Sequence, residues 1–157
     1  MPCFFFDTAA LQHRYVEGPY SRTVRKIVSD RRWDTFIAEI TVLEMASALA
    51  RRCRKQNWPE SRYDVLDMRF LRDIADHRLR VRRITRRDIL RARHLIRFAG
   101  MLRRRNISSA DALIATCCLA LALERKERVA FYTSNKSLYS ILQEIDAFRS
   151  ALALRLL

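Results

Sequence analysis

Apolar positions change their period along this chain, and the changes mark out strands alternating with helices. Phe4, Phe5 and Phe6 follow Cys3 as an unbroken apolar run that stops at Asp7, the pattern of a strand buried on both faces. Thr8 to Tyr15 predicts a short helix or turn, broken by Gly18-Pro19. Val24, Ile27 and Val28 recur at helical spacing and predict a surface helix over 20–31. Trp33 to Ile40 predicts a second strand. Behind it, Val42, Met45, Ala46 and Leu49 form a buried helical stripe, opened by a capping box of Thr41 and Glu44. Ser61 to Ala75 predicts an amphipathic helix with Leu66, Phe70 and Ile74 on one face. His77 to Arg83 alternates apolar and basic residues, as a strand near a sheet edge does. A second capping box, Thr85 with Asp88, opens a helix to about Met101 with Ile89, Ala92, Ile96 and Ala99 inward.

Ser108 to Leu123 is apolar on most faces and predicts the central helix, with a third capping box in Ser108 and Asp111. Val129 to Tyr132 predicts a further parallel strand, and Thr133, Ser134 and Asn135 supply N-cap candidates for a last helix. That helix places Leu138, Ile141, Leu142, Ile145 and Phe148 on one face. Leu152, Leu156 and Leu157 extend its apolar surface, suited to covering a sheet edge or a dimer contact. Strands alternating with helices predict an α/β fold, a parallel sheet covered on both sides. The length of 157 residues fits one domain with a sizeable core.

Charge adds a direction. The net charge is +14, of which residues 51–105 carry +13. A middle third this basic points to a polyanion, most simply nucleic acid, with an acidic protein or a merely solvated face as alternatives. Cys3 and Cys53 are isolated and Cys117 and Cys118 adjacent, so no metal or redox spacing exists; buried thiols in a reducing compartment are expected. The start lacks the basic segment of a signal peptide, and the longest apolar run is too short to span a bilayer. A cytoplasmic protein without a membrane partner is expected.

Three acids occupy similar places. Asp7 closes the first strand, while Glu44 and Asp111 begin helices. In open α/β sheets, ligands collect at the carboxyl ends of strands. Carboxylates converging there repel unless a cation lies between them, and hard Mg²⁺ or Mn²⁺ takes such oxygen ligands. Beside a basic surface the matching chemistry is phosphodiester hydrolysis. Helix capping alone accounts for each acid equally well. His13, His77 and His94 share no spacing and are expected to be structural or solvent-facing, and Ser108 and Ser109 read as caps.

Four stretches resemble one family in order and spacing: FFFDTAAL, ITVLEMASAL, ISSADALIA and VAFYTSNKSL. The chain is similar to PIN-domain proteins of the VapC type, the toxin half of bacterial toxin–antitoxin pairs. The resemblance spans nearly the whole chain. It implies a PIN-like three-layer α/β/α domain over residues 1–157, with a central parallel sheet of four or five strands. It implies a Mg²⁺- or Mn²⁺-dependent ribonuclease acting on RNA such as tRNA or rRNA. It also implies inhibition by a cognate antitoxin, and a homodimer. Carried over, the metal ligands are Asp7, Glu44 and Asp111. The family's fourth acid is absent at both of its usual positions, which here are Asn135 and Leu138. Asn135 is the expected catalytic stand-in, with Thr133 or Ser134 orienting a metal-bound water. Arg14, Thr133, Ser134, Lys136 and Arg51 are candidate substrate contacts. Loss of the fourth acid implies as the alternative a weakened or inactive RNA- or protein-binding module.

Overall fold

A computed structural model of the chain describes residues 2–157. Strand β1 (Cys3–Phe6) leads into a one-turn helix α1 (Thr8–Leu11), a 3-10 turn Gln12–Arg14, and α2 (Ser21–Ser29). Strand β2 (Asp34–Ala38) is followed by a helical pair, α3 (Glu39–Lys55) and α4 (Glu60–Ala75), and by the short β3 (Arg80–Arg82). Helix α5 (Arg86–Arg97) continues through a π turn, Phe98–Leu102, to the central α6 (Ser109–Arg125). Strand β4 (Val129–Thr133), α7 (Lys136–Gln143), α8 (Asp146–Ala151) and β5 (Leu152–Leu156) complete the chain.

Among the described residues the sheet holds five strands in the order β3-β2-β1-β4-β5, all parallel. Side chains alternate across it, as the strand period of two requires. Phe5 turns to one face, in a core shared with Phe131 and eight of the ten buried residues of α6. Phe6 turns to the other, against Leu11, Met45, Leu49, Leu66 and Phe70 from the helices up to α4. The consecutive phenylalanines of β1 therefore serve two cores, one above and one below the sheet. This is the three-layer α/β/α architecture expected for a PIN-like domain. All four cysteines are buried and unpaired. Burial pushes Cys3 up to about 11 and Cys117 up to about 12, so both stay protonated. No helix among the described residues is long and apolar enough to cross a membrane.

Four local expectations change. Pairing of β2 with β3 ends at Ala38–Arg82, so α3 starts at Glu39 with Ala38 as its N-cap. Thr41 is then a buried residue inside the helix, and no capping box joins it to Glu44. In α5 the buried side is Asp88, Ala92 and Leu95, while Ile89 is exposed. The Thr85–Asp88 capping box is present, with both reciprocal bonds made. The last expected helix is two, divided at Ile145, whose backbone is extended (φ −106, ψ 114). Leu152 onwards forms a fifth strand on β4, with Leu157 N donating to Thr133 O at 2.9 Å. An open β4 edge accepts LALRL because its period of two puts Leu152, Leu154 and Leu156 on one face, buried at the first two and exposed at the last, where the strand runs out. Leu152→Ala is expected to cost about 2–4 kcal/mol in urea unfolding. Leu156→Ala, at a site 40% exposed, should cost under about 1 kcal/mol. Equal losses from both would contradict this gradient of burial along β5.

Candidate functional site

Strand order reverses direction at β1 and β4: successive strands run outward from β1 to β3 on one side and from β4 to β5 on the other. In an open parallel sheet the crevice at that switch, beyond the carboxyl ends, is where ligands bind. Asp7 stands there, immediately after β1, and its N–H donates to Tyr132 O of β4 at 3.0 Å. Ser134 and Asn135 follow β4 at the same place.

Asp7 is 1% exposed. Its Oδ1 accepts from Ala10 N at 2.7 Å and caps α1, so the capping role is real. Its Oδ2 is buried without a hydrogen-bond partner among the described residues. Burial pushes the Asp7 carboxyl up from its ordinary 3.8 to about 7. The Thr133 hydroxyl and the Ala10 backbone oppose that rise, the charge of Asp111 adds to it, and the Ser134 backbone opposes it. The Thr133 hydroxyl lies close enough to favour the charged form, and its oxygen accepts from Asn135 N at 2.9 Å. The bond from Asn135, just after β4, to the Asp111 carboxylate puts the N-terminus of α6 at the same edge.

Asp111 uses half of its expected cap. Ser108 Oγ accepts from Asp111 N at 3.0 Å, but the Asp111 carboxylate turns to Asn135, whose Nδ2 donates to Oδ2 at 3.0 Å. Asn135 Oδ1 accepts from Leu138 N at 3.1 Å and caps α7. One amide thus ties the start of α7 to the start of α6. The loop after β4 also holds a buried Ser134 hydroxyl with no partner.

Glu44 lies in the second turn of α3, where no capping role explains it. It accepts from the Thr8 hydroxyl at 2.5 Å, which places it beside the residue following Asp7 but engaged with Thr8. Among the described residues no group of three Asp, Glu, His or Cys side chains is gathered closely enough to hold a metal ion. The structure therefore joins Asp7, Asp111, Asn135 and Thr133, and holds Glu44 one hydroxyl away. Two carboxylates with an orphaned buried oxygen still suit Mg²⁺, which is commonly held by one or two carboxylates with water and phosphate oxygens completing its shell.

Of the remaining candidates, Lys136 is exposed at the first position of α7. Arg51 is exposed on α3, about 18 Å along the helix from its first residue. Arg14 is not a free cation. Its guanidinium meets Asp73 at 3.0 and 3.2 Å and Ser29 at 2.8 Å. His13 packs edge-on against Tyr20, and His77 and His94 are exposed. Two residues of this edge escape sequence reading. Thr8 passes for a helix starter until Glu44 is brought to it. Glu39 is hidden by the strand boundary; like Asp7 it is the first residue past a strand, and its Oε2 accepts from Ile84 N at 3.2 Å.

No protein-family model matches this sequence, and no curated protein does. Several solved structures share its fold. The VapBC2 complex of Rickettsia felis, bound to a DNA fragment from its promoter, is 17% identical over 98% of this chain and 97% of that one, with a TM-score of 0.58. FitAB bound to an IR36 DNA fragment is 18% identical over 97% and 93%, at 0.61. FitAcB from Neisseria gonorrhoeae is 18% identical over 96% and 95%, at 0.60. Identity this low is a likeness of fold.

Proposed function

We propose that this protein is a metal-dependent endoribonuclease of the PIN type, a VapC-like toxin that hydrolyses RNA phosphodiester bonds in the cytosol and is inhibited by a cognate antitoxin. The observation that carries the reading is the buried Asp7 carboxylate, with its unpartnered Oδ2 at the switch point and the Asp111 charge beside it. A buried anionic oxygen without a donor is costly, and a proton or a cation relieves it. The all-oxygen donor set selects a hard ion, Mg²⁺ or Mn²⁺. Asp7 and Asp111 would hold it, with Glu44 joining on release from Thr8. When bound, such an ion supplies an activated water and neutralises charge at the phosphate.

The chain's own residues do the positioning. Ala10 N fixes Asp7 Oδ1 and leaves Oδ2 without a donor among the described residues. Asn135 Nδ2 fixes Asp111 Oδ2, and Thr133 holds the Asn135 backbone. The resemblance to toxins, and a fold shared with complexes named VapBC2 and FitAB, support an antitoxin partner; a homodimer is part of the same reading. The test is cleavage of total RNA by protein freed of any partner, with and without Mg²⁺ or Mn²⁺, beside Asp7→Asn. Cleavage that persists in Asp7→Asn, or that ignores metal, removes the reading.

A second reading is a weakened or inactive PIN-fold binding module. Asn135 and Leu138 in place of an acid favour it, as does the want of a three-carboxylate group among the described residues. Asn135→Asp separates the two. It keeps the cap on α7 but replaces a hydrogen bond to Asp111 with repulsion. The metal-free variant should lose about 1.5–3 kcal/mol, the worth of a bond to a charged group. Mn²⁺ should restore more stability to it than to the wild type. Faster cleavage by Asn135→Asp identifies the amide as what limits the enzyme; unchanged cleavage shows that it does not. Thermal shifts with and without Mn²⁺ read the first effect, and an RNA gel reads the second.

A further inference from the structure

The chain's charge is concentrated in α5 and the segments on either side of it. Residues 82–105 hold ten arginines and one acid, a net +9 of the total +14. That acid, Asp88, is buried and spent on the capping box. Arg82 pairs with Glu124 and Arg103 with Glu144. Arg86, Arg87, Arg91, Arg93 and Arg97 are all exposed, and none makes an ion pair among the described residues. Arg87–Arg91 and Arg93–Arg97 are like-charged pairs one turn apart, which weaken a helix. The capping box and packing on α6 hold α5 in place against that repulsion.

The unpaired arginines are ordered. Arg86, Arg93 and Arg97 fall within about 40° of one another around α5, opposite the buried side of Ala92 and Leu95. Two exposed apolar residues, Ile89 and Leu90, flank them on either side. An apolar groove of about 710 Å³, lined by Leu95, Phe98, Leu119 and Phe148, borders the stripe at Arg97. The stripe itself is a row of charges with its apolar neighbours at the margins, the reverse of the apolar core and polar rim of a protein interface. Guanidinium forks in a row suit phosphates, which they meet bidentately. The first end of this segment lies at the carboxyl edge of the sheet, where Ile84 N binds Glu39 Oε2 just after β2; its other end pairs Arg103 with Glu144 and leads within a few residues to the start of α6.

We propose that the outer stripe of α5, Arg86, Arg93 and Arg97, is the surface that grips the phosphate backbone of RNA and delivers it to the Asp7–Asp111 edge. That the gripped RNA is a substrate rests on the ribonuclease reading, and the backbone contacts pass from Arg14 to α5. Arg14 is committed to Asp73 and has no fork to offer.

The test measures binding of a fluorescein-labelled 20-nucleotide single-stranded RNA across a salt series, in the Asp7→Asn background so that nothing is cut. The stripe variant carries R86Q, R93Q and R97Q. The control carries R54Q, R69Q and R72Q, three exposed arginines of α3 and α4. Gln keeps helix propensity and relieves like-charge repulsion, so circular dichroism and melting should show a folded stripe variant. The stripe variant is expected to lose more than about tenfold in affinity, and about 2 in the slope of log K against log salt, as three phosphate contacts require. The control should change by less than about threefold. Equal losses in both variants reduce the effect to net charge and overturn the proposal, as does an unchanged stripe variant. Poly-L-glutamate bound as tightly as RNA, with the same loss in the stripe variant, overturns it in favour of an acidic protein partner. Stripe-dependent binding without cleavage by the wild type leaves the RNA surface standing and removes the ribonuclease reading alone.

Discussion

Asp7→Asn makes the metal-free protein more stable at pH 8 and about 1–3 kcal/mol less stable at pH 4, while RNA cleavage falls to background. The Asp7 carboxyl is held at about 7 in the fold against an ordinary 3.8. Its folded pKa is raised, so the native state binds the proton more tightly. Below about pH 4 both states are protonated and Asp7 costs nothing extra. From there to about pH 7 the unfolded chain ionises first and stability falls; above 7 the loss is full and constant. A gap of that width corresponds to on the order of 4 kcal/mol. Asn removes the charge but buries an amide where Oδ2 had no partner, a cost of about 1–3 kcal/mol. The net gain at pH 8 is then about 1–3 kcal/mol, read by urea unfolding at the two pH values. Mn²⁺ should raise the melting temperature of the wild type and not of the variant. Parallel stability curves across pH 4–8 would show that Asp7 carries no such burden.

Asp73→Ala should be the most destabilising single change at a charged position. Asp73 is one of the buried residues of α4 and accepts both Arg14 bonds and the Tyr15 hydroxyl bond at 2.9 Å. Burial, with the Asp73 charge and hydrogen bond behind it, pushes the Tyr15 hydroxyl far above its ordinary 10. Removing Asp73 strands a guanidinium that is only 14% exposed. Breaking one side of such a pair costs about 3–5 kcal/mol. The Asp30–Arg32 pair is shorter, at 2.7 Å, but its arginine is 83% exposed. Water screens it, and Asp30→Ala should leave the transition where it is. Unfolding midpoints of the two variants make the comparison. A small effect of Asp73→Ala would free Arg14 for the substrate role its place in the chain suggests.

The site was partly legible before the fold was known. Asp7 could be placed because a strand of three phenylalanines ending in an acid has one reading in a parallel sheet. Asp111 could be placed at the start of α6, but not oriented. Its cap with Ser108 is local, whereas its bond to Asn135 joins two helices that are far apart in the chain. Glu44 was singled out by its place near a helix start and by resemblance, and its local competitor, a capping box with Thr41, dissolves once β2 ends at Ala38. Arg14 looked available because sequence displays its own charge and hides a partner 59 residues away.

Sequence by itself determined the alternation of strands and helices, the central α6, the edge character of β3, the Thr85–Asp88 cap and the concentration of charge. Each depends on periodicity or on neighbours within one helical turn, interactions that near residues dictate. Tertiary structure alone decided where β2 stops, that LALRL is a strand, which arginines are paired, and that Asp7 Oδ2 is left without a donor. Those outcomes turn on a free sheet edge, on burial, and on partners distant in the chain. No local pattern encodes them, because the energy of a hydrogen bond or a buried charge is set by what surrounds it in space.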